Sequence, residues 1–181
     1  MLKVPNTAYM NRGAIAMKKI IHLPRHSRVW VLSILLTAAA AFADSAPPEP
    51  LSAFPQSLLA IRTNNGSVIN FKIWDADTPR RQEQGLMFVR AIDEHAGMLF
   101  VFPASQIQSM WMKNTYLPLD LLFIDDKGRI DTIAARAKPL VLDIISAPTP
   151  ARAVLELNGG ACERLGIKVG DQIIHSRLGN R

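Results

Sequence analysis

Short runs of β-favouring residues, separated by turn signals, constrain this chain more than any other feature of its sequence. Residues 59–63 and 68–74 flank Asn65-Gly66, and Asn-Gly between two such runs is a strong hairpin signal. Leu119–Ile124 is apolar on both faces, which indicates a central strand. Further short strands are predicted over residues 98–102, 108–113, 130–134, 153–157 and 172–175. The pattern predicts a mainly β fold, a single antiparallel β-sandwich or barrel domain with one or two short helices.

Capping residues mark the two short helices. Thr78 precedes Pro79, and a capping hydroxyl followed by proline predicts a helix start, with Gly85 as its end. Residues 158–160 (Asn-Gly-Gly) lead into a second short helix over Ala161–Leu165. A tight turn with a cap is favoured there over an anion site formed by free N–H groups.

The first 43 residues are predicted to be a secretory signal peptide. Basic residues precede an apolar segment over residues 29–41, and Ala41-Phe42-Ala43 fits a cleavage site. Counted to the cleavage site, residues 29–43 are an apolar run of about 15 residues, shorter than the ~18–20 that cross a bilayer, so cleavage is favoured over an uncleaved anchor. We therefore expect an exported protein, periplasmic or secreted, without membrane attachment after cleavage.

The remaining chain divides into three predicted segments. Residues 44–57 are rich in proline, serine and alanine, which predicts a disordered linker. Residues 58–176 are predicted to form a single β-rich domain, and residues 177–181 a tail.

The distribution of charge argues against nucleic-acid binding. The whole chain has 21 Lys and Arg against 15 Asp and Glu, a net charge of +6. Six of the basic residues precede Asp44 and no acidic residue does, so the predicted mature chain has 15 of each. The basic character is therefore lost with the signal peptide. Cys162 is the only cysteine, which rules out an internal disulfide and favours a buried, inert thiol.

Trp111, Lys113, Asn114 and Asp120 form the best candidate ligand site in the sequence. Trp111 and Lys113 are two residues apart, so they share one face of a predicted strand. Asn114 and Asp120 lie near strand ends. An indole, an ammonium, an amide and a carboxylate at one rim suit a polar ligand, for example a sugar ring stacked on the indole. The competing interpretation is structural: Lys113 pairs with Asp120 or Asp125, and Asn114 satisfies a turn.

Two further sets of residues have both a functional and a structural interpretation. Arg81 is either part of an anion site or an arginine that ties the first helix to Asp120 or Asp125. Met110 and Met112 share a predicted strand face and are soft ligands for Cu(I), but core packing is the favoured use. The sequence contains no zinc-binding histidine pair, phosphate loop or dinucleotide fingerprint, so no metal or cofactor is predicted.

Several rare residue types fall in an order that is similar to a known family. They are Gly85-Leu86-Met87, Gly97-Met98-Leu99-Phe100, Trp111-Met112-Lys113-Asn114-Thr115 and Pro118-Leu119-Asp120. Over residues 58–174 the chain resembles the bacterial and archaeal domain of unknown function 192 family. The resemblance implies the same β-rich fold, but it brings no settled activity. Arg81 also resembles a basic position that recurs in the family.

Two functions from different classes follow from these residues. The favoured one is an exported binding or accessory module for a small polar ligand, for example a carbohydrate, or for a protein partner. The alternative is an enzyme acting on a polar or carbohydrate substrate with Asp120 as acid or base. That alternative needs a second carboxylate, and Glu83 is the available one.

The signal peptide generates the first prediction. Mass measurement of the exported protein is expected to find Asp44 at its amino terminus, because the Ala-x-Ala pattern places the cleavage site after Ala43. A cytosolic protein that retains residues 1–43 contradicts this prediction.

Overall fold

Nine strands and two short α-helices form the part of the chain that the structure describes. This structure is a computed structural model, and it describes residues 47–180. The strands are β1 Gln56–Arg62, β2 Val68–Ala76, β3 Ala96–Gln106, β4 Ser109–Met110, β5 Leu119–Ile124, β6 Ile130–Ala137, β7 Ile145–Ser146, β8 Ala151–Asn158 and β9 Gln172–Ile174. The α-helices are α1 Pro79–Gln84 and α2 Ala161–Leu165, and single 3₁₀ turns cover Leu51–Ala53 and Ser176–Leu178. The predicted mainly β fold with two short helices is confirmed.

Seven of the strands form one curled sheet. Their order is β6-β5-β8-β3-β2-β1-β9, while β4 and β7 form a separate two-stranded sheet. The two edges of the large sheet approach each other, because the Ile130 N–H donates to the Asp171 carbonyl at 2.9 Å and the Ile173 N–H to the Gly128 carbonyl at 2.8 Å. The sheet therefore curls towards a barrel, which leaves fewer unpaired edge groups.

One strand pair differs from the antiparallel prediction. β2 and β3 are parallel, with Trp74 opposite Met98 and Ala76 opposite Phe100. A parallel pair cannot be joined by a tight turn, because the chain has to return to the other end of the sheet. Residues 77–95, which include α1, make that crossover.

The sheet has an apolar layer on each face. One layer contains Leu59, Phe71, Leu122 and Leu155 among its fully buried side chains. The other contains Met98, Phe100, Leu121, Phe123 and Val154, and is covered by side chains from the connecting segments. Every residue of β5 is buried, as the apolar run from Leu119 to Ile124 predicted for a central strand.

The predicted strand over residues 108–113 is shorter in the structure. Only Ser109 and Met110 are in β4, where they pair with β7. Beyond them the Met112 N–H donates to the Val141 carbonyl at 3.2 Å, and Asn114 adopts a left-handed conformation with φ of 56°. This left-handed residue turns the chain, so the alternating pattern does not continue as a strand.

The described parts of the predicted linker and tail also differ from prediction. Phe54 is buried, β1 begins at Gln56, and the Glu49 backbone N–H and C=O both bond to the Gln84 side chain at 2.7 Å. At the other end, the Asn180 amide donates to the Ile173 carbonyl at 2.8 Å. Residues 47–57 and 176–180 therefore belong to the folded domain. The predicted signal peptide, residues 1–43, lies outside the described residues.

Neither described helix could cross a membrane. α1 and α2 contain six and five residues, and no helix within residues 47–180 has the required length and apolar character.

Candidate functional site

Three of the predicted site residues come together on one surface loop. The Trp111 ring is 43% exposed, and the Lys113 Nζ lies 4.9 Å from its centroid, a cation–π distance. Asn114 follows in its left-handed turn, where its carbonyl accepts the Phe88 N–H at 2.9 Å. We call these three neighbouring residues the Trp111 rim, in which the Lys113 ammonium lies over the indole and Asn114 turns the chain.

Asp120 is not part of this rim. Its side chain has no solvent exposure, and its carboxylate accepts three backbone N–H groups, from Arg136 at 2.8 Å and from Gly160 and Cys162 at 2.9 Å. No ion pair joins it to Lys113 within residues 47–180. The turn at residues 158–160 and the helix after it, the possible anion site of the sequence, supply the Gly160 and Cys162 N–H groups, and the anion bound there is the protein's own Asp120 carboxylate. The geometry gives Asp120 a structural use.

Arg81 also lies apart from the Trp111 rim. Its guanidinium contacts Asp77 at 2.8 Å and Glu49 at 3.0 Å, and it lies over the Phe54 ring at 5.3 Å. The hydrogen bond from Arg81 lowers the pKa of the Asp77 carboxyl below its usual range. Arg81 thus ties α1 to residues 49–54 rather than to Asp120 or Asp125.

The methionine pair belongs to the core. Met112 is 1% exposed in the second apolar layer, and Met110 packs partly buried against the same layer. Among the described residues, no three His, Cys, Asp or Glu side chains are placed to hold a metal ion. The packing agrees with the interpretation of these thioethers as gap-filling side chains.

Glu156 is the residue that sequence analysis missed. It lies on the central strand β8, opposite Met98 of β3 and Leu121 of β5, and is only 5% exposed. Its Oε2 atom has no hydrogen-bond partner among the described residues. Burial raises the pKa of the Glu156 carboxyl to about 8, because the charged form loses its hydration. A glutamate between Leu155 and Leu157 in a strand apolar on both faces was the available signal.

A small cleft connects Glu156 to the Trp111 rim. Its volume is about 80 Å³, enough for several water-sized groups. The lining residues come from the end of α1 and the turn after it, from β4 and the following loop, and from the sheet: Gln82, Glu83, Gln84, Gly85, Leu86, Met87, Phe100, Ser109, Met110, Trp111, Thr115 and Glu156. An aromatic surface and a buried carboxyl therefore border the same cavity.

The segments around this cleft hold unusual backbone conformations. Phe88, Asn114 and Leu140 all have φ between 56° and 65°. Residues other than glycine adopt this backbone conformation at a cost in free energy. They belong to one network, because the Phe88 N–H bonds to the Asn114 carbonyl and the Leu140 N–H to the Thr115 carbonyl. Gly85 has φ of 52°, and a Cβ there would lie 3.3 Å from the Phe100 ring. Backbone strain of this kind clusters at functional sites.

Comparison with known families identifies the family of this chain. The model of the domain of unknown function 192 family, described as an uncharacterized ACR, matches residues 60–175. The chain belongs to this family. The matched residues include the whole cleft, so the family domain itself carries the candidate site.

Two crystal structures resemble this domain. One is a proposed transcription regulator from Sinorhizobium meliloti 1021, with 40% identity, a TM-score of 0.67, and coverage of 68% of this chain and 96% of that one. The other is a protein of unknown function from Novosphingobium aromaticivorans DSM 12444, with 34% identity, a TM-score of 0.67, and coverage of 77% and 99%. No curated protein matches the chain.

The buried carboxyl generates a prediction about pH. The folded-state pKa of Glu156 is raised, so the stability it contributes is present below about pH 4.5 and is lost as the pH rises towards 8. Between about pH 5 and pH 8 we expect the native chain to lose roughly 3–5 kcal/mol relative to Glu156→Gln. His175 contributes in the opposite direction, because burial lowers its pKa, and the comparison of the two chains cancels that effect.

Urea unfolding of both chains across this pH range measures the difference. Glu163→Gln is the matched control, since the Glu163 side chain is 70% exposed in its ion pair with Arg136. Equal pH profiles for the native chain and Glu156→Gln contradict a raised pKa at this position.

The structural use of Asp120 generates a third prediction. Asp120→Ala is expected to cost roughly 3–5 kcal/mol of unfolding free energy, because three backbone N–H groups lose their buried partner. Asp125→Ala is the control: its carboxylate accepts the Lys127 and Arg129 N–H groups near the surface, and we expect a loss of about 1 kcal/mol. Similar losses in the two variants contradict the structural interpretation.

Proposed function

We propose that this chain is a binding module whose cleft between Trp111 and Glu156 takes a small polar ligand. The observation that supports it best is the buried Glu156 Oε2, which has no partner among the described residues and belongs to a side chain that lines the cleft. A buried polar atom without a hydrogen bond costs roughly 1–3 kcal/mol. Such a cost is retained more readily where the group serves a ligand.

The chemistry of the cleft defines the ligand that it suits. With its raised pKa, Glu156 is mostly protonated at neutral pH, so it offers one O–H donor and one carbonyl acceptor. A ligand group that presents an acceptor beside a donor, such as a sugar diol or a carboxamide, matches this pair. Trp111 supplies an aromatic edge or face at the mouth, and a volume of about 80 Å³ favours one small group.

The balance of charge supports a ligand-binding role over direct action on nucleic acid. The Sinorhizobium relative is a proposed transcription regulator. Residues 47–180 of this chain contain 14 basic and 14 acidic residues, so little counterion release is available for binding a phosphate backbone. As the leader sequence predicts export, we propose that the module acts outside the cytoplasm.

A second candidate function is acid–base catalysis at the same cleft. Glu83 and Glu156 both line it, and the pKa of Glu156 is raised to about 8. Two carboxyl groups in different environments are the usual pair for hydrolysis of a glycosidic bond. In this case Glu156 is the proton donor, and it replaces Asp120 in the enzyme alternative.

Trp111 and Tyr116 offer a matched pair for testing the binding site. The two rings are 43% and 38% exposed, and each carries a cation, Lys113 or Arg90, over its face. Only Trp111 lines the cleft. Trp111→Ala is therefore expected to abolish ligand binding, while Tyr116→Ala keeps it. Each variant is expected to lose less than about 1.5 kcal/mol of stability, because a half-exposed ring loses less than a core aromatic.

Native mass spectrometry of the exported protein reads out a retained small molecule. Fluorescence titration with monosaccharides and primary carboxamides then measures affinity for the native chain, both alanine variants and Glu156→Gln. Binding that survives equally in Trp111→Ala and Glu156→Gln contradicts the proposed site. Turnover of a glycoside that stops in both Glu156→Gln and Glu83→Gln favours the catalytic alternative instead.

A further inference from the structure

Arg152 has a buried donor that the fold does not use. Arg152 lies on β8, and its Nη1 atom is buried without a hydrogen-bond partner among the described residues. No Asp or Glu lies within ion-pair distance of it in the described chain. A guanidinium is always charged, so an unpaired one in a partly buried position is costly.

The surrounding strands explain how this position arises. β3 and β8 pair regularly from Gly97 to Val101, and their register then shifts before Gln106 meets Ala151. Pro103 lies in the irregular stretch and has no N–H to donate to the ladder. The irregularity therefore opens space beside Arg152, and bulges of this kind often re-aim a side chain next to a site.

A second guanidinium lines the same space. Arg152 and Arg177 both border a shallow hollow of about 450 Å³, together with Thr78 and Gln82. Arg177 is held in place because its Nη1 lies 3.4 Å from Asp75 Oδ1, and Asp75 in turn accepts the Ser57 hydroxyl at 2.7 Å. The hollow thus has one arginine in an ion pair and one arginine without a partner among residues 47–180.

The acidic groups near the hollow are already engaged. Asp77 is the one carboxylate that lines it, and Arg81 binds that group at 2.8 Å. Asp75 accepts the Ser57 hydroxyl through Oδ2, and its Oδ1, which accepts no hydrogen bond among the described residues, forms an ion pair with Arg177. The net charge of the groups around the hollow is therefore positive, because no described carboxylate neutralises the guanidinium of Arg152.

We propose that this hollow binds a small oxyanion, a phosphate or carboxylate group, between Arg152 and Arg177. Guanidinium groups present paired N–H donors that match two oxygens of such an anion. The pairing would also satisfy the unused donor of Arg152. The proposal does not depend on the cleft, because Arg152, Arg177 and Thr78 do not line it, and only Gln82 borders both cavities.

Inorganic phosphate and acetate are the probes for this proposal. NMR of the native chain at constant ionic strength is expected to show saturable shifts of the Arg152 and Arg177 Nε–H signals, with those of Arg62 unchanged. Acetate in place of phosphate shows which oxyanion the hollow prefers. If neither anion shifts the two signals saturably, the proposal is overturned, whatever happens at Trp111.

Variants add a second, independent measurement. Arg152→Gln is expected to weaken phosphate binding about ten-fold or more by calorimetry, because a charged donor pair is lost. Arg62→Gln, which removes an exposed arginine at the end of β1, is expected to leave the affinity unchanged. Equal affinity in the native chain and Arg152→Gln overturns the proposal. If Arg152→Gln does not fold, the phosphate affinity of Arg152→Lys and the NMR shifts of the native chain test the proposal in its place.

Discussion

The carboxylate of Asp120 joins the parts of the sheet that carry the rest of the structure. It projects from β5 and accepts N–H groups from Arg136 at the end of β6 and from Gly160 and Cys162 around the start of α2. A buried carboxylate is tolerable only with such donors, and the donors would be orphaned without it. Burial, together with the nearby Asp120 carboxylate, raises the pKa of the Cys162 thiol, which makes that cysteine unreactive.

Asp120 and Glu156 are buried carboxyl groups on opposite faces of one sheet, and their hydrogen bonding differs. Leu121 lies opposite Glu156, so Asp120, the neighbour of Leu121, projects from the other face. On its face Asp120 meets the free N–H groups of a turn. On the other face Glu156 meets Met98, Leu121 and the cleft, with no partner for Oε2 among the described residues. The first residue stabilises the fold, and the second is the group on which the proposed function depends.

Local signals were predictable from the sequence, whereas long-range pairing was not. Thr78 accepts the Arg81 N–H as an N-cap and Gly85 ends α1, as their residue types indicated. The parallel pairing of β2 with β3 depends on a crossover that no single segment encodes. The contact between Trp111 and Lys113 was predictable because the two residues are near in sequence. Glu156 was missed because its cleft is assembled from segments about 40 to 70 residues away.

Strand β8 places both proposed sites on one rigid element. Arg152 and Glu156 are four residues apart, so they project from the same face at a separation of roughly 13 Å along the strand. Each has a buried polar atom that finds no partner in the described part of the chain, one a guanidinium donor and the other a carboxyl oxygen. α1 lies beside both, since Gln82 borders the hollow as well as the cleft. A ligand that spans α1 would meet a positive group at one end and a neutral carboxyl at the other. A sugar phosphate has this combination of groups, which connects the two proposals without making either depend on the other.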